Sequence, residues 1–143
     1  MSFSRLLMIS APNNLIIIDD KGRTLLQQRS TTKDIRPGYW ANAVGGHVTK
    51  GESYKQAIQR ELREELGITV PVRFYKKFLY SYAHETEIET VFTAVSSGPF
   101  YPNVTEVQEV QFMSKEELQK HHHSGSLKLT ELSEYIFKLM GYL

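Results

Sequence analysis

The sequence predicts an α+β sandwich with a mixed β-sheet, on three observations. Strand-like and helix-like segments are mixed without a regular βαβ alternation, which argues against a doubly wound sheet. Ser53–Leu66 is bounded as a helix at both ends: Ser53 and Gln56 make a capping box, and Gly67 stops the helix where a left-handed cap belongs. Within it, Ile58, Leu62 and Leu66 recur at four-residue spacing, an apolar stripe of the kind that packs on a sheet.

The other elements follow along the chain. Leu15 to Asp19 is a short apolar run ending in Asp19-Asp20-Lys21-Gly22, a turn signature, and Thr24 to Arg29 follows as the second arm of a hairpin. Ser30 to Gly38 is polar and closes with Pro-Gly, hence a loop, and Tyr39 to Val44 reads as a short strand before Gly45-Gly46. Beyond the helix, Val70 to Ala83 and Glu85 to Ser96 are rich in aromatic and β-branched residues and read as strands. Their aromatics Tyr75, Phe78, Tyr80, Tyr82 and Phe92 are expected in the core. Val104 to Phe112 alternates as a further strand. Ser114 to Lys120 opens a short helix with a second capping box, Ser114 and Glu117, and Leu129 to Met140 forms a terminal amphipathic helix. His121-His122-His123 precedes Ser124-Gly125-Ser126 and is expected as incidental exposure in a flexible loop.

Composition narrows the function. The chain has 143 residues, 41% of them hydrophobic and 23% charged, which fits one domain over 1–143 with a proper core and excludes disordered and fibrous classes. Seventeen Lys+Arg against 16 Asp+Glu leave a formal net charge of +1, no field with which to recruit a nucleic acid backbone. Any affinity for phosphate must therefore be local. The count of 0 cysteines removes disulfides, thiolate metal sites and cysteine catalysis together. No stretch approaches the roughly 20 apolar residues of a membrane span, and Met1 to Ser4 lacks the basic start of a signal peptide. A cytoplasmic protein without a membrane or nucleic acid partner is expected, as a monomer or homodimer.

The chemistry is concentrated in three acids. Glu61, Glu64 and Glu65 stand at i, i+3 and i+4 of the expected helix, on one side of its apolar stripe. Like charges at this spacing repel, so something must offset them. Neighbouring Arg60 and Arg63 would do so on a solvated face. A hard divalent cation, which prefers several carboxylate oxygens, would do so at a working site.

The surrounding residues favour the second reading. Gly46, Glu52 and the run Arg60-Glu61-Leu62-Arg63-Glu64-Glu65-Leu66-Gly67-Ile68 match the Nudix box at every defined position from 46 to 68. Nine such matches by chance have odds on the order of one in ten million. The sequence thus resembles the Nudix hydrolase superfamily, also called MutT-like. That resemblance implies an α/β/α sandwich with the box as loop–helix–loop, holding Mg²⁺ or Mn²⁺ and cutting a diphosphate. It implies Glu64 and Glu65 as the main metal ligands, Glu61 as ligand or base, and Glu52 as an ion-pair brace for Arg60. The carbonyl near Gly45 or Gly46 becomes a further ligand, and Gly46 and Gly67 permit backbone geometry that a side chain obstructs. The general base varies between Nudix families, and Glu106 and Glu109 are candidates beside Glu61 and Glu64.

A finer likeness reaches the subgroup around isopentenyl diphosphate isomerase. Leu25-Leu26-Gln27-Gln28-Arg29-Ser30, Lys33, Pro37-Gly38-Tyr39-Trp40 and Gly46-His47-Val48 carry it. The likeness implies that Arg29 and Lys33 contact the diphosphate and nominates His47 as a metal ligand. Two cations beside a metal site suit the remaining phosphate charge. Tyr39 and Trp40 are candidates for touching the substrate. The isomerase's catalytic cysteine is replaced by Gly45, so hydrolysis of a nucleoside diphosphate linked to another moiety is expected over isomerisation. A prenyl diphosphate enzyme and a silent nucleotide-binding domain remain the alternatives.

Overall fold

A continuous apolar run has to be covered on both faces, and this requirement organises the architecture. In the computed structural model, which describes residues 11–33, 35–81 and 85–143, Leu15, Ile16 and Ile17 are each 0% exposed. They lie in β1 (Pro12–Ile18) at the middle of a seven-stranded sheet. The other strands are β2 (Thr24–Arg29), β3 (Trp40–Asn42), β4 (Val44–His47), β5 (Arg73–Ser81), β6 (Thr86–Val95) and β7 (Val107–Met113). The helices described are α1 (Tyr54–Leu66), α2 (Lys115–Ser124) and α3 (Glu131–Leu139).

The strand order is β3-β2-β1-β6-β5, with β4 also pairing β1 and β7 also pairing β2. β1 and β6 run parallel while the other pairs are antiparallel, so the sheet is mixed. The strand period of two sends alternate residues to opposite layers. Leu15, Ile17 and Leu25 pack with Ile58, Leu62 and Leu66 of α1. Ile16, Leu26 and Val91 pack with Leu118 of α2 and with Ile136 and Phe137 of α3. The result is the expected α/β/α sandwich. Full burial of each of the three α1 stripe residues stabilises by about 1.5–3 kcal/mol.

Helix α1 begins and ends where its sequence says. Ser53 Oγ accepts from Gln56 N and Gln56 Oε1 from Ser53 N, at 3.1 and 2.8 Å. Gly67 takes φ of 68°, and its N–H donates to Arg63 O. A Cβ at Gly67 would lie 3.0 Å from Tyr101 Cβ, so the residue is glycine for two reasons, conformation and close approach. Across that contact Tyr101 N and Asn103 N donate to Leu66 O and Glu65 O, both at 2.8 Å. These bonds satisfy the end of α1 and dock residues 101–103 on it.

Four local expectations are corrected. The Tyr39–Val44 strand is split at Ala43 into β3 and β4, and β4 runs on through Gly45-Gly46 to His47 because it pairs with Pro12 to Leu15 of β1. The strand expected from Val104 starts at Val107, since Asn103 holds a turn with its carbonyl accepting from Glu106 N and Val107 N. His121–His123 are not loop residues: α2 continues to Ser124, with Gly125 as left-handed cap, and the carbonyls of His121 and His122 accept from Leu127 N and Gly125 N. His122 Nε2 lies 2.9 Å from Glu134 Oε1, joining α2 to α3. Finally, Phe92 is buried, but Tyr75 is 42% exposed on β5, which among the described residues pairs only with β6. Phe78 and Tyr80 pack against Tyr135 with ring centroids 5.1 and 5.2 Å away. The expectations for Tyr82 and for the end of the Val70–Ala83 strand lie outside the described residues.

Candidate active site

The three α1 acids sit at graded depths, which a solvated helix face would not show. The side chain of Glu64 is 55% exposed and that of Glu61 16%. Glu65 is 8% exposed, beside the apolar stripe. Burial and a hydrogen bond with Glu61 push the Glu65 carboxyl up to about 9, against the pull of Gln27. Gln27 Nε2 donates to Glu65 Oε1 at 3.0 Å.

Opposite the acids is the β4 backbone. At Gly46 an added Cβ would fall 2.4 Å from Glu61 Cδ and 2.6 Å from its Cγ. Gly46 is therefore glycine to admit the Glu61 side chain, and its φ does not enter the left-handed region. Arg60 braces the arrangement. Its Nε and Nη2 donate to Glu52 Oε2 and Oε1 at 2.7 and 3.0 Å, a two-point grip. Nη2 also reaches His47 O at 3.0 Å, and Nη1 reaches Glu61 Oε1 and Glu64 Oε2 at 2.7 and 3.2 Å. The brace thus joins the Glu52 loop, β4 and α1, and its reach extends to two of the acids.

Hydrogen bonds from Arg60 and Thr49 hold the Glu52 carboxyl down at about 2. A carboxyl lowered on folding stabilises above its ordinary value of 4.5 and loses that contribution as pH falls through about 2. Thermal melts of Glu52→Gln are therefore expected to show a flatter pH dependence than wild type between about pH 4.5 and 2. Coincident slopes in that window would contradict the brace.

A cleft of about 910 Å³ opens beside these groups, a size that suits a small-molecule substrate. Its walls bring together Glu61, Glu64, Glu65, Gly46, His47 and Arg60, along with Arg29, Lys33 and Glu106. Arg29 and Lys33 come from the end of β2 and the following loop. Arg29 Nε and Nη2 donate to Ile35 O at 3.1 and 2.8 Å, and Lys33 pairs with Glu106. Glu106 reaches the cleft from the Asn103 turn rather than from a strand. Glu109 and Trp40 do not line it. Glu109 lies exposed on β7 opposite Gln28, and Trp40 packs on the α2–α3 core while its backbone bonds Lys128 O and Thr130 N.

Sequence reasoning missed Gln27, Arg36, Asn42 and Ser133 on the same walls. Asn42 and Ser133 are buried and bonded together, Ser133 Oγ donating to Asn42 Oδ1 at 2.6 Å. For Gln27 a signal existed: it occupies a β2 position whose neighbour at i−2, Leu25, faces the core, so an apolar residue was due. For the other three no local pattern announces convergence.

Among the described residues no three His, Asp or Glu side chains converge as a finished metal cage. The donor chemistry nevertheless suits a hard divalent cation. The site offers carboxylate oxygens on one helix, a backbone strand beside them, and a buried acid, Glu65, hydrogen-bonded to Glu61 and to the Gln27 amide.

The site is thus a carboxylate-rich helix laid against a glycine strand, facing cations across a cleft in an α/β/α sandwich. The chain belongs to the NUDIX domain family, whose pattern matches residues 12–132. A Nudix hydrolase of Pseudomonas aeruginosa, PA4841, is 35% identical over 103 residues, covering 71% of this chain and 61% of that protein. YfcD of Escherichia coli K12, described as an uncharacterized Nudix hydrolase, is 34% identical over 105 residues, 73% of this chain and 58% of its own length. The chain thus spans about three fifths of the length of these curated relatives. Among solved structures, DR0079 from Deinococcus radiodurans shares the fold with a TM-score of 0.78 at 23% identity, over 90% of this chain and 82% of the other. The NUDIX domain of NrtR from Shewanella oneidensis, crystallised with ADP ribose, does so at 0.72 and 16%, over 96% of each. Among the described residues no helix is long and apolar enough to cross a membrane.

Proposed function

We propose that the chain acts as one Nudix domain, 1–143, of a divalent-metal-dependent hydrolase that cuts the diphosphate linkage of a nucleoside diphosphate joined to another moiety. The observation that carries this reading is a single cleft with Glu61, Glu64 and Glu65 on one wall and Arg29 and Lys33 on another. Such an arrangement matches a substrate that is itself anionic and needs both cation and cationic side chains.

Glu64 and Glu65 are the metal ligands in this reading, with Glu61, the Gly46 carbonyl and His47 as further donors. A bound Mg²⁺ or Mn²⁺ supplies charge neutralisation at the phosphates and makes water a stronger nucleophile. Arg29 and Lys33 hold the phosphate oxygens that remain. Water attacks one phosphorus, the bridging oxygen leaves with the other phosphate, and the water proton passes to a carboxylate. Glu61 and Glu106 line the cleft and are the candidates for that role. Glu106 accepts from Lys33 in this state, so phosphate binding to Lys33 releases it as a base. Glu109 lies outside the cleft and is set aside.

ADP ribose, bound by the NrtR domain of the same fold, is a nucleoside diphosphate carrying a second sugar and is the first compound to try. The test is a panel of nucleotide sugars, dinucleotides and nucleoside triphosphates, assayed for nucleotide or phosphate release. Turnover is expected with Mg²⁺ or Mn²⁺, to vanish in chelator and to return on adding metal. Turnover indifferent to chelator, or none across the panel, would remove the reading. Because Arg29, Lys33 and His47 share the cleft, isopentenyl diphosphate belongs in the panel. Formation of its dimethylallyl isomer would favour the isomerase-like alternative.

A further inference from the structure

Gln27 is a polar residue where packing calls for an apolar one. On β2 its side chain falls on the same face as that of Leu25, which is 1% exposed and packs with Ile58 and Leu62 of α1. Gln27 itself is 7% exposed. Burying an amide there costs free energy unless its hydrogen bonds are met. Both of its donor bonds are committed: Nε2 lies 3.1 Å from Ala43 O and 3.0 Å from Glu65 Oε1. The first partner is backbone at the junction of β3 and β4, a fixed point of the sheet. The second is the deepest acid of the site. Both partners take hydrogen bonds, which settles which end of the amide faces them.

We propose that Gln27 is a positioning residue for the Glu65 carboxylate and thereby sets the affinity of the site for its divalent cation. The inference rests on the reading above that Glu65 is a metal ligand. Tied at Ala43, the amide holds Oε1 of the Glu65 carboxyl in place. A ligand already oriented pays less ordering entropy when the cation arrives, and partners that orient a ligand are typically worth about 10–100-fold in metal affinity.

The experiment is Mn²⁺ binding to the whole chain without substrate, read from the free-ion electron paramagnetic resonance signal. Gln27→Met keeps nearly the same volume and removes both donors. Its Mn²⁺ dissociation constant is expected to rise at least about tenfold, while its metal-free melting temperature stays within a few degrees of wild type. In turnover the metal-activation curve should shift by the same factor, with substrate KM at saturating metal unchanged. A merely structural role would lower the melting temperature and leave the metal constant alone. Gln27→Asn, which keeps the amide but shortens its reach, is expected to weaken Mn²⁺ as well, and serves if the methionine variant does not fold. Wild-type Mn²⁺ affinity in a folded Gln27 variant would overturn the inference while leaving the metal site standing. A wild-type protein that takes up no Mn²⁺ would overturn both.

Discussion

Replacing Glu65, the proposed metal ligand, by Gln is expected to lower kcat/KM on the order of 10³-fold, the several kcal/mol that a catalytic cation contributes. The same change should leave the metal-free protein at least as stable as wild type above neutral pH. Both effects come from one property, a carboxylate placed at 8% exposure. Burial raises its pKa on folding, so its contribution to stability is present below the ordinary 4.5 and is lost as pH rises through about 9. Glutamine carries no ionisation. Its oxygen accepts from Gln27, and its amide donates to Glu61, replacing both contacts of the acid. Melts in chelator from about pH 5 to pH 9 should therefore fall for wild type and stay flatter for the variant. Catalytic assays with Mg²⁺ supply the other half. Retained turnover in Glu65→Gln would overturn the proposed metal-ligand role of Glu65.

Gly46→Ala is expected to fold and to lose on the order of 10²-fold in kcat, the usual consequence of displacing a catalytic group by about 1 Å. The added methyl meets Glu61 Cδ at 2.4 Å and Oε1 at 2.8 Å. These atoms end a flexible side chain, so the acid swings away and the backbone stays. Glu61 is also hydrogen-bonded to Arg60 and Glu65, so moving it loosens both. Circular dichroism and melting close to wild type, together with depressed turnover, would fit this account. A collapsed fold would show instead that the backbone had yielded.

Much of this molecule was legible beforehand. The limits of α1 were set by side chains that act within a few residues, the Ser53–Gln56 box and Gly67, and both caps form as spelled. The Glu52–Arg60 brace was legible through resemblance, and its two-point geometry agrees. The three histidines were misplaced because a helix end depends on what packs beside it, here Glu134 on α3. Glu106 and Glu109 looked equivalent in one run of sequence. The turn made by Asn103 brings only the first of them into the cleft.

The sequence by itself determined the mixture of strands and helices, the box helix and the identity of its acids, because period, caps and short-range spacing are local properties, while the α/β/α layering was implied by resemblance. Tertiary structure alone decided which acid is buried, which glycine makes room for Glu61, and that Gln27 reaches Glu65 across 38 positions of chain. Those outcomes depend on how strands and helices from distant segments are pressed together, and burial and charge environment exist only once they are.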